Sequence, residues 1–114
     1  MKSTYEIEFT HWAESDLDEI AIYIAENDDI SKAVGVYLEL KKKNLNLNES
    51  PNRGRIVPEL KRINIIDYRE IIVNPYRIIY RVEDKTVTIF AVFDGRRQID
   101  DIIYQRVTGL GNLR

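Results

Sequence analysis

Tyr5, Ile7 and Phe9 alternate with Glu6 and Glu8, the period-two pattern of a short strand with one buried face. Thr10 follows as a helix N-cap. Ala13, Leu17, Ile20, Ala21 and Ile24 then recur at the 3.6-residue period, so residues 11–26 read as an amphipathic helix. Glu14, Asp16, Asp18 and Glu19 put negative charge in its early turns, as a helix N-terminus favours, and Asp16, Asp18 and Glu19 read as a solvated face. Asn27-Asp28-Asp29 is a break. Ala33, Val36, Tyr37, Leu40 and Leu47 line one side of a second helix, about residues 31–48, and the short link makes a helical hairpin. Ser50-Pro51-Asn52-Arg53-Gly54-Arg55 ends it with breakers, and Pro58 argues against a regular element in residues 56–66. Strands are expected at 68–73, 76–82 and 85–93, with Asn74-Pro75 and Glu83-Asp84 as turns. They read as an antiparallel meander whose middle strand is too apolar for an edge. A short helix at 100–107 and a frayed tail over 108–114 complete the chain.

The order is β-α-α-β-β-β, an α+β fold with a small antiparallel sheet and a helical hairpin packed on one face. At 114 residues and 13.4 kDa the chain is one domain, with a core over about residues 5–97 and a short helix and tail over 98–114. The apolar run at 89–93 is far below the roughly 20 residues that span a bilayer. The N-terminus leads into no signal-peptide core, so a cytoplasmic setting is expected.

Several chemistries are excluded at once. There is no cysteine, so no thiolate nucleophile, disulfide or Cys-based zinc site, and one histidine cannot make a two-histidine metal motif. Phosphate-binding loop, dinucleotide fingerprint and nucleophile elbow are all missing. No metal or organic cofactor is expected. His11 is a candidate general base, but beside Trp12 at a helix start it reads better as a packing or capping residue.

The net charge of -2 hides an uneven distribution. Residues 1–50 carry 5 Lys and Arg against 11 Asp and Glu, whereas residues 51–114 carry 12 against 8. Ten of those twelve cations are arginine, suited to bidentate contact with phosphates and carboxylates. The acidic half either neutralises the basic half internally or leaves it facing an anionic partner. Arg77 and Arg81 share a strand face and have Glu70 and Asp67 as possible ion-pair partners. Arg55 suits fixing the helix-to-sheet connection through Glu59 or a carbonyl, and Tyr76 and Tyr80 read as core.

One ordered set of motifs goes further. It runs Ala13-x-x-Asp16-Leu17-x-x-Ile20-x-x-Tyr23-Ile24, then Pro51-Asn52-Arg53-Gly54-Arg55-x-x-Pro58-Glu59-Leu60, then Arg69-Glu70-Ile71. Pro75-Tyr76-Arg77-Ile78-Ile79-Tyr80-Arg81-Val82 and Val92-Phe93-Asp94-Gly95-Arg96-Arg97 follow. Together they resemble the RelE/ParE superfamily of bacterial type II toxin–antitoxin toxins, the ParE or plasmid-stabilisation branch most closely, over about residues 5–97.

The resemblance implies a small cytoplasmic toxin, held in a hetero-oligomer by a cognate antitoxin. ParE-like members bind and trap DNA gyrase without turnover; RelE-like members are endoribonucleases that cut messenger RNA on the ribosome. A third possibility is a non-toxic module that only binds its antitoxin. A RelE-like reading assigns catalysis to Arg69, Arg77, Arg97 and Tyr104, because the chemistry needs cations on the developing phosphorane charge. It also needs groups to move protons at the ribose hydroxyl and the leaving oxygen. Target or antitoxin contact falls to Arg77, Arg81, Arg96 and Arg97. The chain departs from the RNase pattern: apolar Ile71 stands where a second lysine is found, and Tyr104 lies one residue beyond the RNase tyrosine. Asp94 replaces the histidine common before the basic pair in ParE-type endings.

Overall fold

The Thr10 hydroxyl accepts from the Ala13 amide at 3.1 Å and so starts the first helix where the N-cap rule expects it. The computed structural model describes residues 4–109. Its elements are β1 (Glu6–Phe9), α1 (His11–Asn27), α2 (Ile30–Leu45) with a 3₁₀ turn at Asn46–Asn48, β2 (Arg55–Ile56), α3 (Pro58–Lys61), β3 (Tyr68–Val73), β4 (Tyr76–Glu83), β5 (Thr86–Asp94) and α4 (Asp100–Thr108). Asp29 caps α2 by accepting from the Lys32 amide at 2.7 Å. Gly109, with φ +79°, closes α4. Of the expected tail, residues 110–114 lie outside the described residues.

The α+β fold stands, and β4 is central as its apolar composition implied. The sheet order is β1-β5-β4-β3-β2. Two features correct the expected architecture. The sheet is mixed, because β1 pairs parallel to β5, Glu6 opposite Thr86 and Phe9 opposite Ile89. The segment 56–66, expected to be irregular, supplies α3, while Arg55 and Ile56 form β2 on the outer side of β3. Pro58 stands in the first turn of α3, where its missing N–H costs nothing.

Both sheet faces are covered. Ala13 and Leu17 of α1, with Leu40 of α2 and Leu47, bury against Ile71, Ile78, Tyr80, Val87, Ile89 and Val92. On the opposite face, Val57, Leu60 of α3, Ile99 and Ile103 of α4 pack on Tyr68, Ile79, Ala91 and Phe93. A bulge in β5 serves both cores: Ile79 pairs with Ala91 but Tyr80 pairs with Ile89, leaving Phe90 as the extra residue.

Gly54 ties the loop before β2 to the sheet. Its amide donates to the buried Tyr80 hydroxyl at 3.0 Å, and a Cβ there would lie 2.5 Å from the Glu70 carbonyl oxygen and 2.6 Å from that hydroxyl. Because the nearest obstacle is backbone in a paired strand, Gly54→Ala is expected to cost about 2 kcal/mol or more. The check is a chemical-denaturation midpoint that falls at unchanged slope.

Candidate functional site

Arg77 leaves β4 on the α3 side of the sheet and is almost entirely withdrawn from solvent. Its Nη1 and Nη2 donate to the two oxygens of Glu59, each at 2.7 Å, and its Nε donates to Glu70 Oε1 at 2.7 Å. The other Glu70 oxygen accepts from Arg55 Nε at 2.6 Å. Two arginines and two carboxylates thus form one neutral cluster, with Glu70 fully buried between β2 and β4. The bidentate Arg77 fork raises its own pKa and holds the Glu59 carboxyl below the usual carboxylate range. Of the partners considered for Arg77, Glu70 is the one observed, joined by Glu59 from α3; Arg55 takes Glu70 rather than Glu59.

The turn after β5 carries the basic pair. Arg96 donates through its amide and Nε to Asp94 Oδ1, both at 2.9 Å, and through Nη2 to Asp94 Oδ2. These bonds pull the Asp94 carboxyl down to about 2. Arg97 instead lies 5.7 Å over the Phe93 ring, with its guanidinium group stacked rather than salt-bridged. Both arginines stand at the rim of a groove of about 760 Å³ between the helical hairpin and the sheet. Ile20, Ile24, Val36, Leu40, Val73 and Val92 give it an apolar floor; Tyr23, Tyr76, Lys32 and Asp94 share the rim. Tyr23 is two-thirds exposed at this rim.

The family described as the ParE toxin of the type II toxin–antitoxin system parDE has a sequence model that matches residues 7–99. The chain belongs to this family. No curated protein sequence matches it. Among solved structures, a chain of the chromosomal ParDE toxin–antitoxin system of P. aeruginosa superposes with a TM-score of 0.67 at 20% identity, covering 79% of this toxin and 95% of that chain. The free E. coli toxin RelE, as an arginine double mutant, gives 0.61 at 18% identity and covers 94% and 98%. The RelBE2 toxin–antitoxin complex of Mycobacterium tuberculosis gives 0.57 at 22%, covering 82% and 94%. At these identities the likeness is one of fold.

The toxin does not gather the four residues that a RelE-like mechanism would use. Arg69 and Arg77 leave the sheet on opposite faces: Arg69 alternates with Glu70, whose side chain meets Arg77, and is paired across the strands with Tyr80 of the hairpin-side core. Arg69 Nη1 donates to the Gly54 carbonyl at 2.8 Å. Arg81 lies over the Tyr68 ring at 5.8 Å and 3.6 Å from Glu83, and shares a small polar notch with Arg69. Arg97 is at the groove rim, and Tyr104 is half-exposed on α4, its carbonyl accepting from Thr108. His11 is exposed at the first position of α1.

Asp16 is the residue the sequence reading misplaced. Expected on a solvated face, it is buried: one oxygen accepts from the Val92 amide at 3.0 Å and from Arg106 Nη1 at 2.7 Å, the other from Arg106 Nη2 at 3.0 Å. Arg106, which nothing in the sequence singled out, also donates to the Phe90 carbonyl at 3.2 Å and stacks 4.9 Å from the Phe93 ring. The pair satisfies the edge of β5 beyond the end of β1, where no strand is available. A signal was present: Asp16 follows Ala13 by three and precedes Leu17 by one, inside the apolar stripe. Among the described residues no group of three or more His, Asp or Glu could hold a metal ion, and no helix is long and apolar enough to cross a membrane.

Proposed function

We propose that this type II toxin acts by binding and trapping DNA gyrase, in a plasmid-stabilisation-type system, and that a cognate cytoplasmic antitoxin neutralises it. The observation that carries the choice against RNA cleavage is the state of Arg77. Three of its donor nitrogens are used by Glu59 and Glu70, and the carboxylates cancel the positive potential a phosphorane would need. With Arg69 on the other face and Ile71 in place of a second cation, what is left for an external partner is the groove, whose rim sets Lys32, Arg96 and Arg97 among the carboxylates of Glu19, Asp28, Glu39 and Asp94. The groove's apolar floor fits an amphipathic segment that folds on binding, and Arg96 and Arg97 fit carboxylates carried by it. That the similar ParDE and RelBE2 structures come from toxin–antitoxin systems supports such a partner.

The test is controlled expression in a bacterium lacking the antitoxin, with DNA and protein synthesis followed separately. Early arrest of DNA synthesis with filamentation and an SOS response is the expected result. Early translational arrest with cuts in ribosome-bound messenger RNA would instead establish a RelE-like nuclease, and normal growth would leave an antitoxin-binding module. For the antitoxin, the Arg96→Ala, Arg97→Ala double variant is expected to bind about tenfold more weakly or worse, roughly 1.4 kcal/mol. Unchanged affinity by calorimetry would remove the rim from the interface.

A further inference from the structure

Eight charged side chains line the groove, and most of them are already spent on partners within the toxin. Lys32 lies 2.7 Å from Asp28, one helical turn away. Arg96 is held by Asp94 through three hydrogen bonds inside a single turn. Asp16, deeper in, is taken by Arg106. Three charges remain. Glu19 of α1, Glu39 of α2 and Arg97 after β5 form no ion pair among the described residues, and Lys42 and Lys43, one turn on in α2, do not bond Glu39.

These three are ordered in space. Glu19 precedes Asp29 of the interhelical link by ten residues and Glu39 follows it by ten, so the two glutamates stand level on the antiparallel hairpin. Both edge the helical wall of the groove. Arg97 edges the sheet wall, its guanidinium group 5.7 Å over the Phe93 ring. Asp94 lies within range of its charge, but both Asp94 oxygens are taken by Arg96.

We infer that the groove selects an amphipathic segment of the antitoxin that is basic along its hairpin side and carries an acid on the side facing the β5 turn. The inference rests on the groove being the antitoxin's seat, and adds the chemistry that the seat selects. Any apolar face can cover Ile20, Ile24, Val36, Val73 and Val92; the unpaired charges discriminate among such faces. A wholly acidic segment sets like charge against Glu19 and Glu39, and a wholly basic one against Arg97. Arg96 is the weaker anchor of the arginine pair, because an incoming carboxylate has to displace Asp94 from it.

The probes are two synthetic amphipathic helical peptides sharing one leucine face, with binding to the purified toxin read by fluorescence anisotropy. The first carries two lysines on one flank and a glutamate on the other; the second carries two glutamates and a lysine in their place. The first is expected to bind about fivefold more tightly or better at low salt, and the gap to narrow as salt is added. Glu19→Gln with Glu39→Gln is expected to abolish the preference. Asp18→Asn with Glu26→Gln, an equal change of charge on α1 outside the groove, is expected to preserve it. Arg97→Ala is expected to weaken the first peptide about threefold. Equal affinities, a preference for the second peptide, or a preference that survives loss of both groove glutamates overturns the charge pattern while leaving the groove as a seat. Failure of both peptides to bind removes the seat itself.

Discussion

Replacing Glu70 by alanine is expected to destabilise the toxin by about 3–5 kcal/mol, enough to leave a domain of this size largely unfolded on warming. Glu70 has no exposed side-chain surface and binds two arginines, so its loss leaves the Arg77 Nε without an acceptor in a nearly dry site, with Glu59 as its remaining carboxylate, and frees Arg55 at once. Glu70→Gln keeps one acceptor and is expected to lose less; calorimetric melting of the two variants checks the order. The cluster also sets an acid limit. Glu59 titrates below its ordinary value of 4.5 because Arg77 donates to it. A depressed carboxylate stabilises the fold fully above its unfolded pKa, and that contribution disappears as pH falls through the lowered folded value. The melting temperature is therefore expected to drop below about pH 4.5, and Glu59→Ala to flatten that acid limb while lowering the plateau above it.

Asp16→Ala is the second large effect, at about 3 kcal/mol or more. The substitution leaves the Val92 amide without its acceptor and removes the bidentate partner that holds Arg106, and with it α4, against the edge of β5. Hydrogen exchange distinguishes this from general loosening. Amides of α4 around Ile103 are expected to exchange much faster, while β3 and β4 keep most of their protection. Asp16→Asn retains an acceptor for Val92 and is expected to fall between the alanine variant and the parent.

The three longer helices and the three long strands were legible because each has a local signature. The apolar period of α1, the cap at Thr10, and the turns at Asn74-Pro75 and Glu83-Asp84 all lie within a few residues of what they determine. What was illegible depends on distant partners. β2 is two residues long and exists by pairing with Arg69 and Glu70, and α3 holds its single turn in place through Glu59 and Leu60. The parallel placement of β1 beside β5 has no local mark at all. Of the residues marked for function, Arg77 carried a recognisable motif but its environment is set by Glu59, eighteen positions away on another element. Asp16 was misread because charge was weighed above position: an acid inside an apolar stripe is a buried acid with a partner.

The parallel pairing of β1 with β5 has a consequence for how the toxin is made. Thr10 and the Phe90 carbonyl that its hydroxyl meets are 80 residues apart, and β1 finds no strand partner in the sheet other than β5. At about 5–20 residues per second, a ribosome spends roughly 4–16 s between synthesising one and the other. During that interval the hairpin that follows β1 has no completed sheet to close on, and the groove lacks its sheet wall. The groove therefore takes shape only when nearly the whole chain has been translated.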